Sequence, residues 1–142
     1  MKIRVSGTSE TPARIKLKSG NFEFTIDEPE QMGGTNLGPS PVQTLLFALA
    51  GCLNVTGNFV AKEMNIPLLE MKIQIDGELN PCKFMGISDS ERAGFMLIDV
   101  LIEPKFATSV SREIINAWIA ETERRCPVTD NIKQATHINI KV

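Results

Sequence analysis

Hydrophobic and polar residues alternate along "RIKLKSGNFEFTI". Ile15 and Leu17 interleave with lysines, and Phe22, Phe24 and Ile26 interleave with polar residues. Period-two alternation on both sides of Gly20-Asn21 predicts a β-hairpin. The next stretch, "DEPEQMGGTNLGPSP", is rich in Gly, Pro and acids and predicts a loop. A run with no charged residue follows from Ser40 to Ala61. Ser40 is an expected N-cap, Pro41 suits the first helical position, and Gln43 completes a capping box. Asn65 before Ile66-Pro67 predicts the helix end. At ~1.5 Å per residue, about 24 residues make a rod of roughly 36 Å. "MKIQIDGEL" alternates again, with Met71, Ile73 and Ile75 on one face. "GFMLIDVLIEP" is nearly continuous in apolar residues, as in a central strand. Thr108 or Ser109 is expected to cap a second helix reaching about Arg125, with a stripe of Val110, Ile114, Ile115, Trp118 and Ile119. "THINIKV" predicts a final strand with Ile138, Ile140 and Val142 facing the core. The order β-β-α-β-β-α-β, with hairpins in place of regular βαβ units, predicts an α+β fold with a mainly antiparallel sheet. No repeat or linker interrupts the chain, so residues 1–142 are expected to form a single domain.

Composition narrows the function classes. The chain has 142 residues, 42% hydrophobic and 23% charged, with net charge −2. That is the profile of a soluble globular protein. The densest basic spot is Arg124-Arg125, which gives no support to a nucleic-acid or membrane-surface partner. No Tyr and a single Trp leave no aromatic platform for stacking bases. The uncharged run is long enough for a bilayer, but Gln43, Thr44, Asn54, Thr56 and Asn58 lie within it and are costly in lipid. It is therefore read as a buried central helix, not a membrane span. The N-terminus, "MKIRVSGTSETPARIK", lacks the apolar stretch of a signal peptide, so the expected compartment is the reducing cytoplasm.

The candidate chemistry is sulfur. Cys52 lies mid-helix, on a face with Leu45, Ala48, Leu49, Val55 and Phe59, directly after Gly51. A buried free cysteine is usually a plain core residue. Gly51, however, costs the helix about 1 kcal/mol against alanine, and open space beside the sulfur or a close neighbouring backbone would offset that. Cys126, in "ETERRCPVTDN", sits at the end of the second helix, because Pro127 disfavours helical geometry before it. Its preceding arginines favour a thiolate, whereas a helix C-terminus opposes one. Cys82 lies in a loop and reads as incidental. The three cysteines and His137 have no zinc-type spacing, so neither a metal nor another cofactor is expected. His137 reads as a surface residue. No phosphate-loop, dinucleotide or nucleophile-elbow motif is present.

Four segments together, "GGTNLGPSPVQTLLFALAGC", "MNIPLLEMKIQIDGEL", "GFMLIDVLI" and "RRCPVTDNI", resemble the OsmC/Ohr family, in its OsmC-like branch. The resemblance runs from about Phe22 to the C-terminus. It implies an α+β fold in which two chains intertwine as a homodimer around central long helices. Small residues Ala48, Ala50 and Gly51 would lie where those helices approach. It also implies that Cys52 is the peroxidatic thiol and Cys126 its partner, that the substrate is an organic hydroperoxide, and that an external dithiol is the reductant. Active family members carry a glutamate just after the helix-start proline, paired with an N-terminal arginine that stabilises the thiolate. Here those helix positions hold Val42 and Gln43, and Arg14 is the nearest N-terminal arginine. The retained cysteine pair favours a thiol-dependent peroxidase. The missing glutamate favours a catalytically weak dimer that binds a small apolar or electrophilic ligand at its interface.

Overall fold

The computed structural model describes all 142 residues. Its elements run β1 (Ser6–Ser9), β2 (Ile15–Ser19), β3 (Phe22–Ile26), a 3₁₀ turn (Glu30–Met32), α1 (Pro41–Glu63), β4 (Leu68–Glu78), β5 (Leu97–Phe106), α2 (Arg112–Arg125) and α3 (Pro127–Lys133). The fold is α+β, and every strand pairing is antiparallel. The chain divides into two compact units, Met1–Phe47 and Ala48–Val142, with the boundary inside α1.

In the first unit, β1, β2 and β3 form one sheet in that order. The predicted hairpin is present, with Ile15 opposite Ile26 and Leu17 opposite Phe24. The loop after it is organised by Asp27, which is fully buried. Its carboxylate accepts from the Glu28 amide at 2.9 Å, the Thr35 amide at 3.1 Å, the Thr35 hydroxyl at 2.6 Å and the Leu37 amide at 3.2 Å. Gly34 has to be glycine, because a Cβ there would lie 1.8 Å from the Glu28 carbonyl oxygen. The chain then enters α1 through the predicted capping box. The Ser40 amide donates to Gln43 Oε1 at 2.9 Å, and the Gln43 amide donates to Ser40 Oγ at 3.3 Å.

In the second unit, α1 buries the stripe Leu49, Leu53, Gly57, Val60 and Ala61. It stops where expected, with Asn65 in the left-handed conformation at φ 55 and the Ile66 amide bonded back to the Ala61 carbonyl. The hairpin β4–β5 pairs from Leu68 opposite Phe106 to Glu78 opposite Leu97. Met71, Ile73 and Ile75 share the more buried face of β4, as the alternation predicts. Two apolar clusters result. One joins Val60, Ala61, Ile66 and Trp118 and is flanked by Met71, Ile102 and Phe106. The other joins Leu49, Leu53 and Cys126 and is flanked by Cys52, Ile73, Ile98 and Ile132. Trp118 is fully buried, and its Nε1–H donates to the Gly57 carbonyl at 2.8 Å. A Cβ at Gly57 would meet the Met71 side chain at 3.0–3.1 Å, so the bare backbone makes room for that methionine beside the indole.

Four expectations are corrected. The tail "THINIKV" forms no strand, and Ile138 and Ile140 are exposed to 77% and 90%. A strand needs a neighbouring edge for its amides and carbonyls, and none lies alongside the tail within this chain. The apolar run at β5 is not a central strand, since β5 pairs only with β4. An unbroken apolar run reports that both faces disfavour water, not that both edges are paired. The second helix starts later than expected. Ala107 still bonds back to Pro67, and Ser111, not Thr108 or Ser109, is the cap whose hydroxyl accepts from the Ile114 amide. Finally, α1 is buried on one stripe only, with Val55 and Phe59 exposed. Two elements, β1 and α3, had no counterpart in the sequence reading.

Candidate functional site

The site is built where α1 passes the α2–α3 corner. Cys52 projects from α1 into the cluster that contains Cys126. Pro127 opens α3, and Cys126, with φ −76 and ψ 112, is at once the end of α2 and the cap of α3. The first amides of a helix have no partner within it. Those of Val128 and Thr129 therefore remain free for the Cys126 sulfur. Cys126 is fully buried, Cys52 is half-buried, and all three cysteines are free thiols.

Cys52 packs against the cluster that holds Cys126, although the sulfurs are not at disulfide distance. Burial pushes the Cys52 thiol up, and the neighbouring Cys126 thiol adds to this. The Val128 amide and the Thr56 hydroxyl pull the other way without cancelling it. Burial also works against a charge on Cys126. There, donation from Cys52, from the hydroxyl and amide of Thr129 and from the Val128 amide outweighs it, so that thiol lies below its ordinary range. The two thiols are thus pushed in opposite directions, and Cys126 is the readier thiolate. No guanidinium stands among the main influences on Cys52. Gly51 has open space beside it, with nothing within 4 Å of a Cβ placed there.

The other candidate residues occupy separate positions. Gln43 spends its side-chain oxygen on the capping box. Arg14 is held by Glu10 at 2.9 Å and by the Thr35 hydroxyl at 2.7 Å. Arg124 forks onto Glu121. Arg125 pairs with Glu63 and lies 5.2 Å over the Phe59 ring. Cys82 sits in the β4–β5 connection, its amide bonded to Asn80, and His137 is exposed beside Asn139. No three His, Cys, Asp or Glu side chains converge as metal ligands.

Sequence reasoning missed the donors around the sulfurs, namely Thr56, Val128 and Thr129. The usable signal was Pro127, which starts a helix as readily as it ends one. The arrangement allows two thiols to pass a proton between them and, once one is oxidised, to close into a disulfide.

A family profile described as OsmC-like protein matches residues 34–141. No curated protein sequence matches. Among solved structures, an OsmC-like protein from Mycoplasma pneumoniae superposes with a TM-score of 0.79 at 20% identity, over 95% of this chain and 89% of that one. An organic hydroperoxide resistance protein from Elizabethkingia anophelis gives 0.68 at 20% identity, over 95% and 90%. An organic hydroperoxide resistance protein from Legionella pneumophila, also described as a predicted redox protein, gives 0.66 at 16% identity, over 94% and 90%. At these identities the likeness establishes a shared fold.

Proposed function

This chain belongs to the OsmC-like protein family, and from that premise we propose that it is a thiol-dependent peroxidase that reduces organic hydroperoxides. The observation that carries the reading is that Cys52 packs into the same buried cluster as Cys126. The activity named for the Elizabethkingia and Legionella proteins supports it. Cys52, the more accessible sulfur, is the nucleophile, and Cys126 takes its proton. The Cys52 thiolate attacks the O–O bond. One oxygen stays as a sulfenic acid, and the other leaves as alkoxide, which takes the proton back from Cys126 to become the alcohol. The Cys126 thiolate so restored attacks the sulfenic sulfur, the disulfide forms, and the departing hydroxide takes a proton from solvent to become water. An external dithiol reduces the disulfide by exchange. The reading includes a homodimer that covers the exposed face of α1, and a reducing cytoplasm that keeps the pair in its thiol form.

The test is consumption of cumene hydroperoxide by the full chain with dithiothreitol as reductant. Cys52→Ser is expected to abolish turnover. Cys126→Ser should allow one equivalent to react and then stall, and Cys82→Ser should behave as wild type. Undiminished turnover in Cys52→Ser overturns the assignment. A second reading is a catalytically weak dimer that binds an apolar or electrophilic ligand. It is favoured by the absence of a guanidinium among the main influences on Cys52. It gains if the intact protein consumes no hydroperoxide.

A further inference from the structure

Cys126 is the joint between α2 and α3, and whatever holds that joint against α1 decides where its sulfur stands. The corner is braced within itself, because Lys133 of α3 pairs with Glu123 of α2 at 2.6 Å. It is fixed to α1 by the residue next to the sulfur, Arg125. The Arg125 guanidinium pairs with Glu63 at the end of α1 and lies 5.2 Å over the Phe59 ring, one turn earlier on that helix. Glu121 approaches the same guanidinium from α2 at 3.8 Å. Every other ion pair joins residues at most 10 positions apart, whereas Arg125 and Glu63 are 62 apart. On α1 the spacing of Cys52, Thr56, Phe59 and Glu63 puts all four along one face. The stripe that carries the Cys52 sulfur thus carries both groups that grip Arg125. The other polar tie between these helices, from Trp118 to the Gly57 carbonyl at 2.8 Å, lies two turns back along α2. A helix held at one point can pivot about it, and the second point, beside Cys126, removes that freedom.

We propose that Arg125 is a positioning residue: gripped by Glu63 and Phe59, it holds Cys126 within reach of Cys52 and sets how readily the two close into a disulfide. This rests on the peroxidase reading for the oxidation that precedes closure. The sulfurs are not at disulfide distance, so closure needs a short movement, and its rate depends on how often the two sulfurs meet. In that step the Cys126 thiolate attacks the Cys52 sulfenic sulfur. The S–S bond forms, the S–O bond breaks, and hydroxide leaves and is protonated to water. Arg125 exchanges neither electrons nor protons. It is not among the main influences on the Cys126 thiol, so it acts on position and not on charge. A partly exposed ion pair adds little to stability. Its effect on closure is larger, because a displacement of about 1 Å can slow a reaction about a hundredfold. The adjacent cation, Arg124, forks onto Glu121 of its own helix and does not fix the corner to α1.

The experiment mixes the reduced full chain with one equivalent of cumene hydroperoxide, quenches with dimedone at successive times, and measures the Cys52–dimedone adduct and the Cys52–Cys126 disulfide by mass spectrometry. Arg125→Met, which keeps an apolar side chain over Phe59, and Glu63→Gln should lose the Cys52 thiol at the wild-type rate but close about tenfold more slowly, so that the adduct accumulates. Arg125→Lys, which restores the pair with Glu63, should recover most of the closing rate, and Arg124→Met should behave as wild type. A second series needs no peroxide. In glutathione redox buffers Cys52 forms a mixed disulfide with glutathione, and Cys126 displaces the glutathione thiol as it closes. The ratio of Cys52–Cys126 disulfide to mixed disulfide should fall about tenfold in Arg125→Met. The proposal is overturned if that ratio is unchanged, or if oxidation of Cys52 slows as much as closure does. It is also overturned if the pH midpoint of Cys126 alkylation moves in Arg125→Met, since the arginine would then act by charge. A lowered ratio in a protein whose Cys52 does not react with hydroperoxide would leave the clamp standing and remove the peroxidase. Hydroperoxide consumption with an unchanged ratio would do the reverse.

Discussion

At the scale of the residue, the two sulfurs hold opposite positions on the proton scale. Cys126 acts on Cys52 in one direction only, raising it both as acceptor of its proton and as a neighbouring charge. Cys126→Ser is therefore expected to move the pH midpoint of Cys52 alkylation by iodoacetamide downward. An upward shift would mean that some other group sets the Cys52 proton. Asp27 offers a second test. The Thr35 hydroxyl, more than any other group, holds its carboxyl below the ordinary range. Burial opposes this, and the amides of Leu37, Glu28 and Thr35 add to it. The stability it gives is complete above the unfolded carboxyl value of about 3.9 and is lost as pH falls through the lower folded value. Asp27→Asn should remove that part of the acid-side loss, seen as a flatter urea midpoint between about pH 5 and pH 2. Both cysteines were legible in the sequence, each by the break beside it, Gly51 in one case and Pro127 in the other. Their hydrogen-bond donors were not legible. Backbone amides carry no sequence signature, and Thr129 acquires its role only because α3 turns it onto the sulfur.

At the scale of the element, legibility followed local chemistry. The start and end of α1 are written in Ser40, Gln43 and Asn65, each acting on its own neighbours. The strand expected at residues 136–142 and the central place expected for β5 depend on which edge lies alongside, which no window of sequence contains. The short α3 has one turn and a half and no apolar period to read. Trp118 is the residue that ties α2 to α1, through its bond to the Gly57 carbonyl and its edge-on packing against Phe106 at 6.1 Å. Trp118→Ala is expected to cost about 3–5 kcal/mol by urea unfolding. Trp118→Phe should cost about 1–3 kcal/mol, from the lost indole hydrogen bond and the space the smaller ring leaves. A loss below about 0.5 kcal/mol in the alanine variant would show that this contact is not central to the core.

At the scale of the whole molecule, the exposed face of α1 is the unfinished part of the single chain. Gly51, Val55 and Phe59 follow one another at helical spacing. Val55 and Phe59 are 68% and 55% exposed, and nothing approaches Gly51. Apolar surface of this kind marks a contact between proteins. Sedimentation should give a dimer at micromolar concentration, and Val55→Asp should give a monomer. A wild-type monomer would remove the homodimer from the account. The family and the α+β class were readable in advance, because the two cysteine motifs and the hairpins lie in local segments. The exposed face of α1 was readable only as an excess of apolar residues, with no indication of which of them the chain covers by itself. The central claim, that Cys52 and Cys126 work as one redox pair, is tested most directly by treating the reduced protein with one equivalent of cumene hydroperoxide and mapping its peptides by mass spectrometry. The account predicts a single intramolecular Cys52–Cys126 disulfide, with Cys82 still a free thiol. Absence of that linkage, or a linkage containing Cys82, would contradict it.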